Sequence, residues 1–542
     1  MLSMVSVPKP PDIPEQERTA LVVALLEIIE GLREQAQALR EEIAQLKGEP
    51  SRPKIKPSKL EDRSRGKEKE TGKGKRAGSA KRNKTGALKI HETLIVKAEN
   101  VPAGSTFKGY EDYTVQGLVL EAHNVLYHRE RWQTSGGKSI VAPLPEEVQA
   151  LGGHFDRSLI CFVLYQYYHA HVTQPLILEE LWELGVDISA GKVNDILTQG
   201  KERFHTEKDE ILRAGLEVSR YVHVDDTGAR HQGRNGYCTH IGNELFAWFE
   251  STQSKSRINF LKLLRAGHTD YVLNDDAIEY MRAQKLPKFQ LGKLLAHGHK
   301  TLSTEAHWVA TLESLDIIGQ QHVRIATEGA LLGSVIEHAV NPGLVIMSDD
   351  AGQFNVLHHV LCWIHAERTI NQLIGFNDEQ REAVTEVRGR IWDFYDDLKA
   401  YKGAPSEQSK VTLEARFDDI FTTKSCYVSL NLALTRTHKN KAELLLVLDH
   451  PQIPLHNNLS ERDIREYVKK RKISGCTRSE PGRRCRDTFA SLKKTCRKLG
   501  ISFWKYLQDR LVGLYSIPPL SKLIRQHARA SPGRLAPEYA MG

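Results

Sequence analysis

YVHVDDTGARHQGRNGYCTHIGNELFAWFES, residues 221–251, sets the architecture. YVHVDD is a short apolar alternation that stops at two acids. A Gly- and Arg-containing turn follows, then YCTHIG, then LFAWFES. The linking turns are short, so three antiparallel strands in a meander are predicted. Downstream, SRINFLKLLRAG (256–267) has the spacing of a helix. A long mixed segment, 268–342, leads to a further β run, LVIMSDD (344–350), which again ends in two acids. Residues 354–450 read as mostly helical, and the tail beyond Pro518 reads as peripheral.

Three antiparallel strands, a helix, and then a strand laid beside the first make an α/β order of ribonuclease-H-like type with helical insertions, predicted over 216–515. In that order the acids ending the first and fourth strands become neighbours. Asp225 follows Val222 and Val224, and Asp349 stands in the same relation to Val345 and Met347. Each is therefore preferred over its neighbour, Asp226 or Asp350, as the inward carboxylate. A third acid, Glu461, lies in LHNNLSERDIREYVKKRKIS (455–474). Three such carboxylates suit two Mg²⁺ or Mn²⁺ ions, hard cations that prefer oxygen ligands. Two ions of this kind serve in-line attack on phosphorus. Arg462, Arg465, Lys469, Lys470 and Arg471 are the expected phosphate contacts, with Asn457 and Asn458 starting the helix that aims Glu461. Taken singly, Glu461 reads equally well as a capping-box residue three positions after Asn458, or as the partner of Arg465. The ordered set of strand-ending acids among cations favours the joint reading. HHVLCWIH (358–365) reads as a helix beneath the site, with His365 supporting it. No second ligand pair accompanies it, so zinc is not expected.

The remaining composition fits a polyanion partner. The 542 residues carry a net charge of +8, concentrated in two tracts. Arg52–Lys89 has 15 Lys or Arg against 4 Asp or Glu, and Arg462–Arg510 has 16 against 5. Cationic tracts on a nearly neutral body point to nucleic acid. No long apolar run suggests a membrane span, no secretory leader is evident at the N-terminus, and seven scattered cysteines suit a reducing compartment. A cytoplasmic, nucleoid-associated protein is expected. Leu25, Leu32, Leu39 and Leu46 recur every seven residues, interleaved with Val22, Ile29, Ala36 and Ile43. Residues 15–48 therefore read as a leucine-zipper-like coiled coil joining copies of the chain. Residues 49–88 read as a disordered basic linker, and 89–150 as a small β-rich module. Residues 151–215 read as helical. Within them, Leu176–Leu184 and a helix capped by Ser189 flank Gly185 with helix-turn-helix spacing, and Lys192 and Asn194 are the readers of a DNA groove. A purely structural helical hairpin fits that spacing as well.

The chain resembles a bacterial DDE transposase of the insertion-sequence-66 family over roughly residues 15–515. VHVDDTG resembles the first-aspartate strand, and MSDDAGQF with VLCWIHAERTI the second-aspartate strand and its helix. HNNLSERDIR resembles the Asn-Asn-x-x-Glu-Arg-x-x-Arg signature. The resemblance implies cutting the ends of a mobile element and joining the freed 3′-hydroxyls to target DNA. It also implies divalent metal, a multimer, and accessory transposition proteins. Asp226 stands where the family usually has Glu. Many relatives carry a Cys-rich module, whereas residues 51–160 here contain no cysteine. A catalytically silent DNA-binding derivative and a nuclease of the same fold that cannot join ends remain the alternative readings.

Overall fold

The computed structural model describes residues 90–530, apart from 101, 150–152, 339–340, 342 and 376. The coiled coil expected at 15–48 and the linker at 49–88 lie outside these residues. The chain divides into two compact units, 1–114 and 115–542. In the first, the described residues 90–114 contain neither helix nor strand.

The second unit opens with one hairpin, β1 (Arg131–Gln133) against β2 (Ser139–Val141). The β-rich module expected at 89–150 is thus reduced to six paired residues. Val115, Leu118, Val119 and Leu126 belong to the apolar runs read as strands, yet they stay exposed. Alternation builds a sheet only where a second apolar layer can cover it.

Four helices follow: α1 (Arg157–Tyr168), α2 (Gln174–Glu183), α3 (Ala190–Thr198) and α4 (Glu202–Val218). Gly185, with φ of 81°, supplies the left-handed turn after α2. The Ser189 hydroxyl accepts from the Lys192 N–H at 3.2 Å and so caps α3.

The central sheet then begins with β3 (Tyr221–Gly228), β4 (Tyr237–Gly242) and β5 (Ala247–Thr252), an antiparallel meander. α5 (Arg257–Leu264) follows, with Ser256 as its cap. The excursion that comes next holds β6 (Tyr271–Val272), α6 (Asp275–Ala283), α7 (Lys288–Ala296), β7 (Thr301–Leu302), α8 (Glu305–Ser314) and α9 (Gln320–Glu337). The chain returns as β8 (Val345–Ser348), parallel to β3, and then β9 (His358–Leu361), parallel to β8. The strand order is β5-β4-β3-β8-β9.

β9 corrects the sequence reading, in which HHVLCWIH was helical throughout. A buried parallel strand carries a continuous apolar run, and periodicity alone does not separate that from a helix. The helix α10 (Trp363–Asn371) starts only after Cys362. Beyond it lie α11 (Asp378–Gly403), α12 (Glu407–Thr422), α13 (Val428–Lys439), α14 (Asn458–Ser474), α15 (Glu480–Lys498), α16 (Phe503–Val512) and α17 (Leu520–Ala530). Among the described residues, no helix is long and apolar enough to cross a membrane.

Two packing features fix the ends of this architecture. Cys238, Ala247 and Phe249 of the sheet form a core with Ile464 and Tyr467 of α14. At the free edge of β5, side chains of α15 replace a missing strand. Thr495, Ser491 and Asp487 accept from the backbone N–H groups of Ala247, Phe249 and Ser251 at 3.2, 2.9 and 2.8 Å. The match is geometric. Four residues of helix advance about 6 Å, and two residues of strand about 6.6 Å.

The C-terminal segment is not peripheral, contrary to expectation. Leu520, Ile524 and Ala528 repeat every four residues and are buried as α17 packs along α4. Glu207 anchors its start. That carboxylate accepts from Arg510 at 2.8 and 2.9 Å, from the Tyr506 hydroxyl at 2.7 Å and from the Leu520 N–H at 3.1 Å.

Candidate functional site

The site is built on the central pair of parallel strands. Tyr221, Val222 and His223 of β3 pair with Val345, Ile346 and Met347 of β8. Asp225 and Asp349 each stand two residues past the last of these pairs, so they are level on neighbouring strands and on the same face. Asp349 directly follows β8, whereas β3 does not stop at its acids as expected but runs on through Asp225 and Asp226 to Gly228, held there by β4.

α14 is fastened across that face by buried polar contacts. Asn457 Nδ2 donates to the Val224 carbonyl at 2.8 Å, and Asn457 Oδ1 accepts from His223 Nδ1 at 2.8 Å. The Asn457 backbone N–H donates to Cys362 Sγ at 3.2 Å, and Ser460 Oγ lies 2.6 Å from His240 Nδ1. His240 is the register partner of Asp225. Burial holds both His223 and His240 below the usual histidine range, His223 at about 3, so neutral rings tie the helix to the sheet. Asn457 is the N-cap residue of α14, but its side chain makes no capping bond; it is spent on β3. Asn458 is the first helical residue.

Glu461, in the first turn of α14, consequently overlooks the strand ends. Its Oε1 lies 3.5 Å from His365 Nε2 on α10, rather than serving a cap. Burial, followed by the charge of Asp349 and, more weakly, Glu461, pushes the Asp225 carboxyl up to about 7. Asp225 therefore feels both other acids, although they are distant in sequence. Asp226 is engaged differently: its two oxygens accept from Thr239 at 2.5 Å and from Gln353 at 3.0 Å. Asp350 is raised by burial and by Glu443.

Among the described residues no group of three His, Cys, Asp or Glu side chains is yet arranged to hold an ion. The chemistry of the cluster nevertheless fits a divalent cation. A half-buried carboxylate raised by burial and by neighbouring acids, as Asp225 is, carries the kind of charge a hard cation neutralises.

The expected phosphate contacts divide. Arg462, Arg465 and Lys469 are exposed on α14, Lys469 beside Glu466 at 3.2 Å. Lys470 is a correction: it is buried, donates to the Tyr167 carbonyl at 2.8 Å, and lies over the Tyr167 ring. Burial pulls its ammonium down to about 7. Arg471 is half-buried and spans back to Thr227 and the Gly228 carbonyl, bracing the end of β3. On α3, Asn194 is exposed, and Lys192 is half-buried over the Phe155 ring.

Several residues of the site escaped the sequence reading. His223 and His240 lie on the same sheet face as Asp225, and His223 was visible as its i−2 neighbour. Beside Asp349 a cleft of about 350 Å³ opens between α10 and α13, lined by Arg368, Gln372, Arg436 and Asn440. Its cations come from helices that only the fold brings together.

Comparison with known proteins bears on the same region. Residues 327–484 match the family described as "Transposase IS66 family". The chain is also 43% identical over 322 residues to the uncharacterized protein y4jO of Sinorhizobium fredii (strain NBRC 101917 / NGR234); that match covers 59% of this chain and 100% of the relative.

Proposed function

Because the chain belongs to the IS66 family of transposases, we propose that it cuts the ends of an insertion sequence and joins the freed 3′-hydroxyls to target DNA. The observation that carries this reading is the parallel β3–β8 register, in which Asp225 and Asp349 stand level on neighbouring strands. The meander β5-β4-β3 extended by parallel β8 supports a ribonuclease-H-like core.

Asp225, Asp349 and Glu461 are the residues that would hold Mg²⁺ or Mn²⁺, by turning side chains whose backbones are already in register. When bound, a pair of such ions supplies activation of the attacking hydroxyl and stabilisation of the leaving oxygen. The chain's own groups do the rest. His365, kept below the usual histidine range by burial and by Arg368, holds Glu461 over the strand ends. Arg462, Arg465 and Lys469 neutralise phosphates that the acids would otherwise repel. The helices α2 and α3, with Lys192 and Asn194, contact the element's ends. The basic linker adds contacts without sequence preference, and the 15–48 coiled coil pairs protomers.

The test uses purified protein, a labelled duplex carrying the element's terminal repeat, and Mg²⁺ or Mn²⁺. Wild type nicks and joins. Asp349→Ala and Glu461→Ala each fall by more than the ~10–100-fold that loss of a supporting group costs. Full activity in either variant overturns the assignment. Nicking without strand-transfer products supports a nuclease instead, and DNA binding without cleavage in any divalent ion supports a silent derivative.

A further inference from the structure

We infer that the cleft between α10 and α13 is a binding site for the sugar–phosphate backbone of a DNA strand leaving Asp349. The inference rests on the transposase reading for the nature of its ligand, and on the cleft itself for its location.

The cleft is built from two matching helix faces. α10 presents Arg368 and, four residues on, Gln372; α13 presents Arg436 and, four residues on, Asn440. Residues four apart share one helix face, so each wall carries a guanidinium followed by an amide one turn later. Ala366 and Ala433 are small lining residues, which leaves the space between the walls open. Among the described residues, neither Arg368 nor Arg436 is within 4 Å of a carboxylate. Arg368 rests only against His365 Nε2, at 3.3 Å, and both guanidiniums are exposed. The arginines of the neighbouring helices α11 and α12 are all paired: Arg381 with Asp378, Arg388 with Glu367, Arg390 with Asp419 and Arg416 with Asp397. Two unpaired guanidiniums across one cleft are therefore a local exception.

The acids that line the cleft are Asp349 and its neighbour Asp350. A ligand lying here is thus anionic along its length and reaches the carboxylates at its end. Guanidinium forks match phosphate oxygens in two-point contacts. The cleft's volume of about 350 Å³ suits a backbone segment rather than a duplex. A single strand threading from Asp349 between the two arginines meets all of these conditions.

The experiment measures binding of a fluorescein-labelled single-stranded oligonucleotide by anisotropy in EDTA, over a salt series, using the full-length protein. Each phosphate contact contributes roughly 0.7 to the slope of log affinity against log salt for a single strand. Arg368→Ala/Arg436→Ala is expected to lower the slope by about 1.4, and to weaken binding roughly tenfold or more at moderate salt. Arg368→Lys/Arg436→Lys should keep the slope while losing a few-fold in affinity, which separates charge from misfolding. Lys285→Ala/Lys288→Ala, an equal charge change elsewhere, should leave the slope unchanged. An unchanged slope in the arginine-to-alanine double variant overturns the inference, as does an equal loss in the Lys285/Lys288 variant. These readouts need no cleavage, so they stand apart from the activity of Asp349→Ala.

Discussion

Asn457 is the residue on which the geometry of the carboxylates turns. It reaches strand, helix and the Cys362 turn at once, and it is buried. Asn457→Ala leaves the His223 Nδ1–H and the Val224 carbonyl without their partners, so a loss of about 2–4 kcal/mol in denaturant unfolding is expected. DNA cleavage should fall with it, because Glu461 is no longer fixed over β3. Glu466 makes a different prediction. Burial alone would raise its carboxyl, but Lys493, Lys469 and Lys494 outweigh that and hold it down to about 2. A depressed carboxylate stabilises the fold above the ordinary glutamate value of about 4.3, and that stability is lost as pH falls toward 2. Glu466→Gln should therefore be about 1–2 kcal/mol less stable than wild type at pH 7, with the difference shrinking steadily below pH 4 in urea titrations. Asp225, Asp349 and Glu461 could be proposed from the sequence because apolar alternation and charge patterns are local, although β3 runs past Asp225 to Gly228. The burial of Lys470 was legible too, three residues after Tyr467 on the face that carries Ile464, but the run KKRK hides the helical phase. Arg368 and Arg436 were not legible, since their pairing depends on how two helices meet.

Among the elements, the meander, α5, β8 and the α2–α3 pair follow their sequence signals closely. Gly185 and Ser189 punctuate α2 and α3 where their conformational and capping preferences direct. β9 and α17 do not follow. β9 is an apolar run that a helix would also use, and α17 has an apolar stripe that becomes informative only when α4 is there to receive it. The α15–β5 edge is intermediate. Asp487, Ser491 and Thr495 at four-residue steps look like an ordinary polar helix face, and only the adjacent strand gives that face its use. Ser491→Ala strands the Phe249 N–H in a buried site, which costs about 1–3 kcal/mol. The same substitution at the half-buried Ser409, whose hydroxyl meets only the Ser406 hydroxyl, should cost far less, and hydrogen exchange at Phe249 distinguishes the two.

At the scale of the whole molecule, the chain assembles its centre from widely separated parts. The strand carrying Asp225, the strand carrying Asp349 and the helix carrying Glu461 are joined by long excursions, so non-local pairing governs their formation. The seal on β5 has a consequence in time. Ribosomes deliver the strand long before they deliver α15, and during that interval the nascent chain displays an unpaired row of backbone donors, the template on which β-sheets aggregate. A chain stopped after residue 479 should thus be more than inactive: it should be recovered in the insoluble fraction. The same truncation carrying Pro in place of Phe249, which removes one of the unsatisfied donors, should shift part of the material back into solution. Synthesis of α15 is then the step that makes the product safe to release, and termination ahead of it is predicted to be toxic rather than silent.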